Sequence, residues 1–148
     1  MERSAQRLAE AAAQALLARD HASQALGIKL IEVHSGYARM QMTVRSDMVN
    51  IHGTTHGGLV FTLADSAFGY ACNTYNKVTV ASSCSIDFLR PAHLGETLTA
   101  TAVEQALIGR SGVYDVRVEN NKGDLVALFR GKSAQVRGTV SEGAPGGS

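Results

Sequence analysis

The amino-acid sequence predicts a single α+β domain in which one curved antiparallel sheet wraps a long central helix. Three observations carry this expectation. From about Gly57 to Asn73 the chain is apolar on nearly every side at helical spacing, with Leu59, Val60, Phe61, Leu63, Ala64, Ala67, Phe68 and Ala71 in the run. Most of the remaining chain alternates apolar and polar residues with period two. The element order is helix, two strands, buried helix, four strands, and the sheet covers the apolar helix most simply by curling around it.

Each element has its own signal. Residues from about 3 to 25 place Ala5, Leu8, Ala9, Ala12, Leu16 and Leu17 near one face at helical spacing, and Gly27 is the expected stop. Its small alanines make a thin stripe, suited to a surface or an interface. "IKLIEV" reads as a short strand and "HSG" as a turn. "YARMQMTV" then sets Ala38, Met40, Met42 and Val44 against Arg39, Gln41 and Thr43. After the central helix, where Gly69 and the alanines are expected to admit the sheet closely, "VTVASSCSIDFL" places Val78, Val80, Cys84, Ile86 and Phe88 on one face. Pro91 ends it. "ETLTATAVEQAL" is a threonine-rich strand, "GRSG" at 109–112 a hairpin connection, and "GVYDVRVEN" alternates Tyr114, Val116 and Val118 against Asp115, Arg117 and Glu119. "NKG" at 121–123 is a further turn before the last strand, "LVALFRGKSAQV". The domain is expected to span residues 1–137, with 138–148 a disordered tail.

Composition narrows the function. A chain of 148 residues is one domain, large enough to bury roughly 70% of its unfolded surface. A net charge of +1 without an arginine-lysine run gives no footprint for nucleic acid. No apolar stretch approaches the roughly 18 residues that span a bilayer, so no membrane partner is expected. The alanine-rich N-terminus carries Glu2, Glu10 and Asp20 and lacks a continuous apolar core, which fits no import signal. Cys72 and Cys84 sit in apolar patterns and suggest no disulfide scaffold, so a reducing cytoplasm is the expected compartment.

Asp65 is the residue that needs explaining, because an unpartnered carboxylate costs several kcal/mol to bury even after the protein relaxes. A helix that starts near Gly57 has unsatisfied N–H groups at its positive end, and glycines there admit a ligand oxygen close to the backbone. Such a site suits an anion or a developing oxyanion. Asp65 lies eight residues on, about 12 Å further along the same helix. One small reacting group cannot touch both. Either the features are unrelated, or two helices lie side by side so that one subunit's Gly57 faces the other's Asp65, which makes a symmetric dimer with two sites.

"N-x-x-G-x-x-H-G-G" (Asn50, Gly53, His56, Gly57, Gly58) followed by "LADSAFGYACN" resembles the hotdog-fold acyl-CoA thioesterases, in particular their phenylacetyl-CoA thioesterase branch. The resemblance extends over residues ~26 to 137, through "FLRPAHLGETLTATA" and "GRSGVYDVRVENNKGDLVALFRG". It implies hydrolysis of a small aromatic or medium acyl-CoA to free acid and coenzyme A. It further implies a homodimer joined sheet edge to edge, often a tetramer of two dimers. Carried over, the Gly57 N–H polarises the thioester carbonyl, and the partner's Asp65 is general base or nucleophile. Asn50 and His56 orient the thioester or its loop, and Ser82 or Ser83 holds water near Asp65, Ser83 sharing a strand face with Asp87. Gly58, Arg90, Pro91 and the Gly109–Arg110–Ser111 turn are candidates for substrate and coenzyme A phosphates. Coenzyme A is then part of the substrate, and no separate cofactor or metal is expected.

Other chemistries fit less well. His52 and His56 are four apart, as in helical metal pairs, but Gly53 and Gly57 disfavour a helix there and no third ligand stands out. There is no G-x-S-x-G elbow for a serine hydrolase. A hotdog hydratase or dehydratase would pair a histidine base with an acid, which the Asp65 position argues against. A non-catalytic acyl-CoA-binding module would have little use for Asp65.

Overall fold

The period-two segments form one sheet, and the long apolar segment becomes the helix it wraps. The computed structural model describes residues 2–142. Elements run α1 (Glu2–Arg19), α2 (His21–Ala25), β1 (Lys29–His34), β2 (Tyr37–Thr43), α3 (Gly57–Cys72), β3 (Lys77–Phe88), β4 (Thr97–Ile108), β5 (Ser111–Glu119) and β6 (Leu125–Thr139), with 3₁₀ turns over Ser46–Met48 and Val140–Glu142. All six strands pair antiparallel in the order β1-β2-β4-β5-β6-β3. The chain crosses the sheet through α3 between β2 and β3. β3 is therefore an outer edge, bonded among the described residues only to β6.

The inward residues of β2 and β5 behave as the alternation predicts, and Leu98, Ala100 and Ala102 of β4 join them. Ala38, Met40, Met42, Val44, Leu98, Ala100, Ala102, Tyr114, Val116 and Val118 are buried against Val60, Leu63, Ala64, Ala67, Phe68 and Ala71 of α3. Close approach of sheet and helix comes from a glycine of the sheet. A Cβ on Gly131 would stand 2.8 Å from the Phe68 ring. Gly69, expected to play that role, meets nothing within 4 Å because it lies on the side of α3 away from the sheet, lining a cavity.

Three local departures have physical causes. The N-terminal helix breaks at Asp20, whose carboxylate accepts the Ser23 N–H at 3.1 Å and caps a second short helix. β3 carries a bulge between Ala81 and Ser83, which switches the inward parity. Thr79 is buried and Val80 is 47% exposed, so Val80 does not share the inward face of Cys84 and Ile86. Residues 138 and 139 complete β6, and the following 3₁₀ turn is held by Asn76, whose backbone and side-chain carbonyls accept the Val140 and Ser141 N–H groups. The rest of the expected tail, 143–148, lies outside the described residues.

α1 lies over this body with Ala9, Ala12 and Ala13 buried, and Gln6 donates to the Val33 carbonyl at 2.8 Å. No helix among the described residues is long and apolar enough to cross a membrane. Both cysteines are free thiols.

Candidate active site

The tip of α3 is held by a tight loop. Val49 and Thr55 form a bridge, the Thr55 N–H donates to Ala92 and the His56 N–H to Met48. Asn50 organises the turn between them: its Oδ1 accepts the His52 N–H at 2.9 Å, the Thr54 N–H at 3.3 Å and the Thr54 hydroxyl at 3.2 Å. Gly53 closes the turn at φ +76. His56 is the N-cap residue, with an exposed ring that makes no capping bond. Gly57 and Gly58 follow, and neither N–H has a hydrogen-bond partner among the described residues. These amides sit at the positive end of a 16-residue helix. A Cβ on Gly57 would stand 3.0 Å from the Phe88 ring, so the missing side chain also seats the end of β3 against the helix. Gly57, Thr55, Phe88, Arg90 and Pro91 line a cavity of about 390 Å³.

Asp65 lies in a different cavity, of about 280 Å³, on the far side of α3 from the sheet. Thr62, Asp65, Ser66, Gly69 and Asn73 recur at helical spacing and form its helix wall, and Leu16, Asp20 and Ser23 close it from the N-terminal segment. Asp65 is half-buried and takes no bond among the described residues, and burial pushes its carboxyl above the ordinary value. Its negative charge helps to push up the thiols of Cys84 and Cys72, the latter to about 12, with burial the larger cause for both. A buried, protonated thiol is a poor nucleophile.

Asp20, in the same cavity, is fully engaged: Oδ1 accepts the Ser23 N–H and Oδ2 the Tyr70 hydroxyl, both at 3.1 Å. Burial, then the Asp20 charge, drives the Tyr70 hydroxyl well above its usual range. The Ser23 and Ser66 hydroxyls lie 3.1 Å apart. Asp20, Ser23 and Ser66 were not singled out as site residues from the sequence. The recurrence of Thr62, Ser66, Gly69 and Asn73 around Asp65 was a legible signal for the helix wall, whereas the contact with Asp20 spans 50 residues.

The remaining candidates are spread over the sheet. The Ser82 hydroxyl, at the bulge, donates to the Lys132 carbonyl at 3.1 Å. Ser83 alternates with the inward Cys84 and shares the outer face with Ser85 and Asp87, which line a groove with Asp115 and Arg130. Gly109, at φ +61, makes the β4–β5 turn with exposed Arg110 and Ser111. Ser111 pairs with Ala134 of β6, while Phe88, two residues before Arg90, pairs with Ala127. Seven residues of β6 separate those rungs, about 23 Å, so Arg90 and Arg110 of one chain cannot hold the same phosphate. No group of three or more histidine, cysteine, aspartate or glutamate residues among those described is placed to hold a metal.

Comparison with known proteins bears on this geometry. A model of the Thioesterase superfamily matches residues 52–127, from the loop before α3 into β6. Acyl-coenzyme A thioesterase PaaI of Escherichia coli is 47% identical over 87% of this chain and 92% of its own. The solved structure of the E. coli PaaI protein, from the phenylacetic acid degradation operon, superposes with a TM-score of 0.89 at 46% identity, covering 90% of this chain and 97% of that one. A Streptococcus mutans protein solved with acetyl-CoA bound superposes with a TM-score of 0.71 at 25% identity, covering 74% of this chain and 88% of that one.

Proposed function

From the premise that the chain belongs to the thioesterase superfamily and is an acyl-CoA thioesterase of hotdog fold, we propose that it cleaves small aromatic or medium acyl-CoA thioesters in a cleft shared by two copies of itself. One copy supplies the Gly57 N–H and the other Asp65. The single observation that carries this reading is that Gly57 and Asp65 line separate cavities of one chain. Eight helical residues, about 12 Å, keep them apart. A two-fold pairing closes that gap without any change in the helix.

The edge strand β3 supports the same arrangement. Its 12 residues offer an unpaired row of backbone groups, a ready template for a second copy of the strand. Antiparallel pairing of β3 with its mate sets the Phe88–Arg90 end of one chain beside the Thr79 end of the other. The β4–β5 turn lies at that end too, since the Gln135 N–H donates to the Arg110 carbonyl and Gln135 pairs with Thr79. Arg90 of one copy and Arg110 of the other are thereby brought to one mouth, where guanidinium groups would meet the phosphates of coenzyme A. Two such dimers would make the tetramer that the resemblance implies.

In this cleft the thioester oxygen receives the N–H of Gly57, with Gly58 next to it and Asn50 and His56 holding the loop. Water attacks the carbonyl carbon and passes its proton to Asp65, whose raised pKa makes it a stronger base than an ordinary aspartate. The tetrahedral oxyanion, stabilised at the helix tip, collapses with cleavage of the C–S bond, and the thiolate of coenzyme A takes up the proton. Asp65 acting as a nucleophile would use the same geometry. No metal or further cofactor is needed for this chemistry.

The test is complementation. Asp65→Ala and Gly57→Pro chains are each inactive alone, the proline removing the N–H. Each mixed dimer keeps one site with both wild-type groups, so random 1:1 mixing should return about a quarter of wild-type turnover. No recovery in folded mixed dimers, checked by oligomer mass, would place both groups within one chain's site.

A further inference from the structure

The Asp65 cavity has a neighbour. A second cavity of about 240 Å³ lies between α1, the start of β3 and the Val140–Glu142 turn, walled by Ala15, Val78 and Val140. The two share three residues: Leu16, Asp20 and Asn73. Two of these are pinned. Asp20 is bonded through both oxygens, to the Ser23 N–H and the Tyr70 hydroxyl. Asn73 donates to the carbonyls of Gly69 and Thr79 and accepts the Thr79 N–H. Leu16 has no polar anchor and is half-buried, so it can change rotamer without breaking a hydrogen bond.

We propose that Leu16 is a specificity-determining gate between two acyl compartments, one beside Asp65 and one beneath Val140. The inference rests on the reading of Asp65 as the carboxylate that cleaves the thioester. With Leu16 across the opening, the near compartment takes a single ring or a short chain. With Leu16 turned aside, an unbranched chain continues along the apolar side chains of Ala15, Val78 and Val140, in a cavity that Thr79 and the exposed Arg19 also line. The polar atoms of Asp20 and Asn73 at the passage are already satisfied within the protein, so a methylene chain passing them strands no donor or acceptor. The N-terminal helices thus form part of the acyl site, although the family match begins only at residue 52.

The experiment measures kcat/KM of the full chain on acetyl-, hexanoyl-, phenylacetyl- and decanoyl-CoA. Leu16→Ala should raise the decanoyl-to-hexanoyl ratio about tenfold, the scale of one methylene's discrimination in an apolar pocket. Leu16→Phe should lower it. Adding Ala15→Phe to Leu16→Ala fills the second cavity and should return the ratio towards wild type, with thermal melting confirming that each variant is folded. An unchanged ratio, or a parallel change across all four substrates, overturns the gate. Asp65→Asn is assayed on the same panel. Turnover that survives it overturns the Asp65 reading and the gate together, whereas loss of turnover beside an unmoved Leu16→Ala ratio overturns the gate alone.

Discussion

On the outer face of the sheet, Asp115 accepts two bonds from Arg130, at 2.6 and 2.9 Å, and the guanidinium holds its carboxyl below the ordinary carboxylate range. On the opposite side of the molecule, Asp65 takes no bond among the described residues, and burial pushes its carboxyl above its ordinary value. The first arrangement is what a fold does with a charge it must only keep soluble. The second costs stability and leaves both lone-pair faces available to a proton from elsewhere. Even within one cavity the contrast persists, since both oxygens of Asp20 are hydrogen-bonded and those of Asp65 take no bond among the described residues. An unsatisfied carboxylate in a cavity built partly of well-satisfied groups is what the proposed role of Asp65 requires.

Removing Asp65 should break the contrast most visibly. Asp65→Asn is expected to lower kcat by about 10²–10⁴-fold, the range of a lost general base. Stability should move the other way. A carboxyl whose folded pKa is raised stabilises the fold fully below its unfolded value and loses that contribution as pH rises through the folded value. Asp65→Asn should therefore melt higher than wild type at pH 7, with the gap closing as pH falls from the raised folded value to the ordinary carboxylate value. The acid limb of the wild-type kcat/KM profile should lie above the pH of an ordinary carboxylate. An equal melting temperature at pH 7, or unchanged turnover, would return Asp65 to the role of a solvated surface acid.

The helix tip sharpens the comparison, because there the proposed reacting group is an amide held in place by its surroundings. Gly57→Pro should cost about 10²–10³ in kcat, as for one lost oxyanion donor. Gly57→Ala keeps the N–H, but its Cβ would stand 3.0 Å from the Phe88 ring, which must give way by a few tenths of an ångström. Its loss should be smaller, and Phe88→Leu in the same chain should recover part of it. Equal losses for Pro and Ala would show that the space at Gly57, rather than its N–H, is what matters.

The difference between these regions also explains what the sequence made legible. The outward and inward positions of β2 and β5 follow from alternation alone. Asp65 stood out because a carboxylate in an apolar helical run has few ordinary explanations, and Gly57 because glycine opens a helix for a stated reason. Positions set by competition between distant or finely balanced forces were not legible. Asp20 interrupts an alanine-rich helix because its own cap outweighs continuation. The bulge at Ser82 reverses the parity of Val80, and period two contains no sign of it. The close approach at Gly131 depends on which strand lies beneath Phe68, a fact of sheet order rather than of local pattern.

The smallest effect belongs to the paired carboxylate. Arg130→Ala frees Asp115 on the outer face, where water and salt replace most of what the guanidinium supplied. The lowered folded pKa of Asp115 gives the sign: its stabilisation is present above the unfolded value and is lost as pH falls through the folded one. Wild type and Arg130→Ala should therefore differ slightly in melting temperature at pH 7 and low salt, converge in high salt, and converge again in acid. Asp65→Asn follows the same acid convergence from the opposite side, starting above wild type rather than below it. If Arg130→Ala reduced turnover as Asp65→Asn does, the outer face would belong to the reacting cleft, and the distinction between a charge that is stored and one that is only solvated would not hold in this fold.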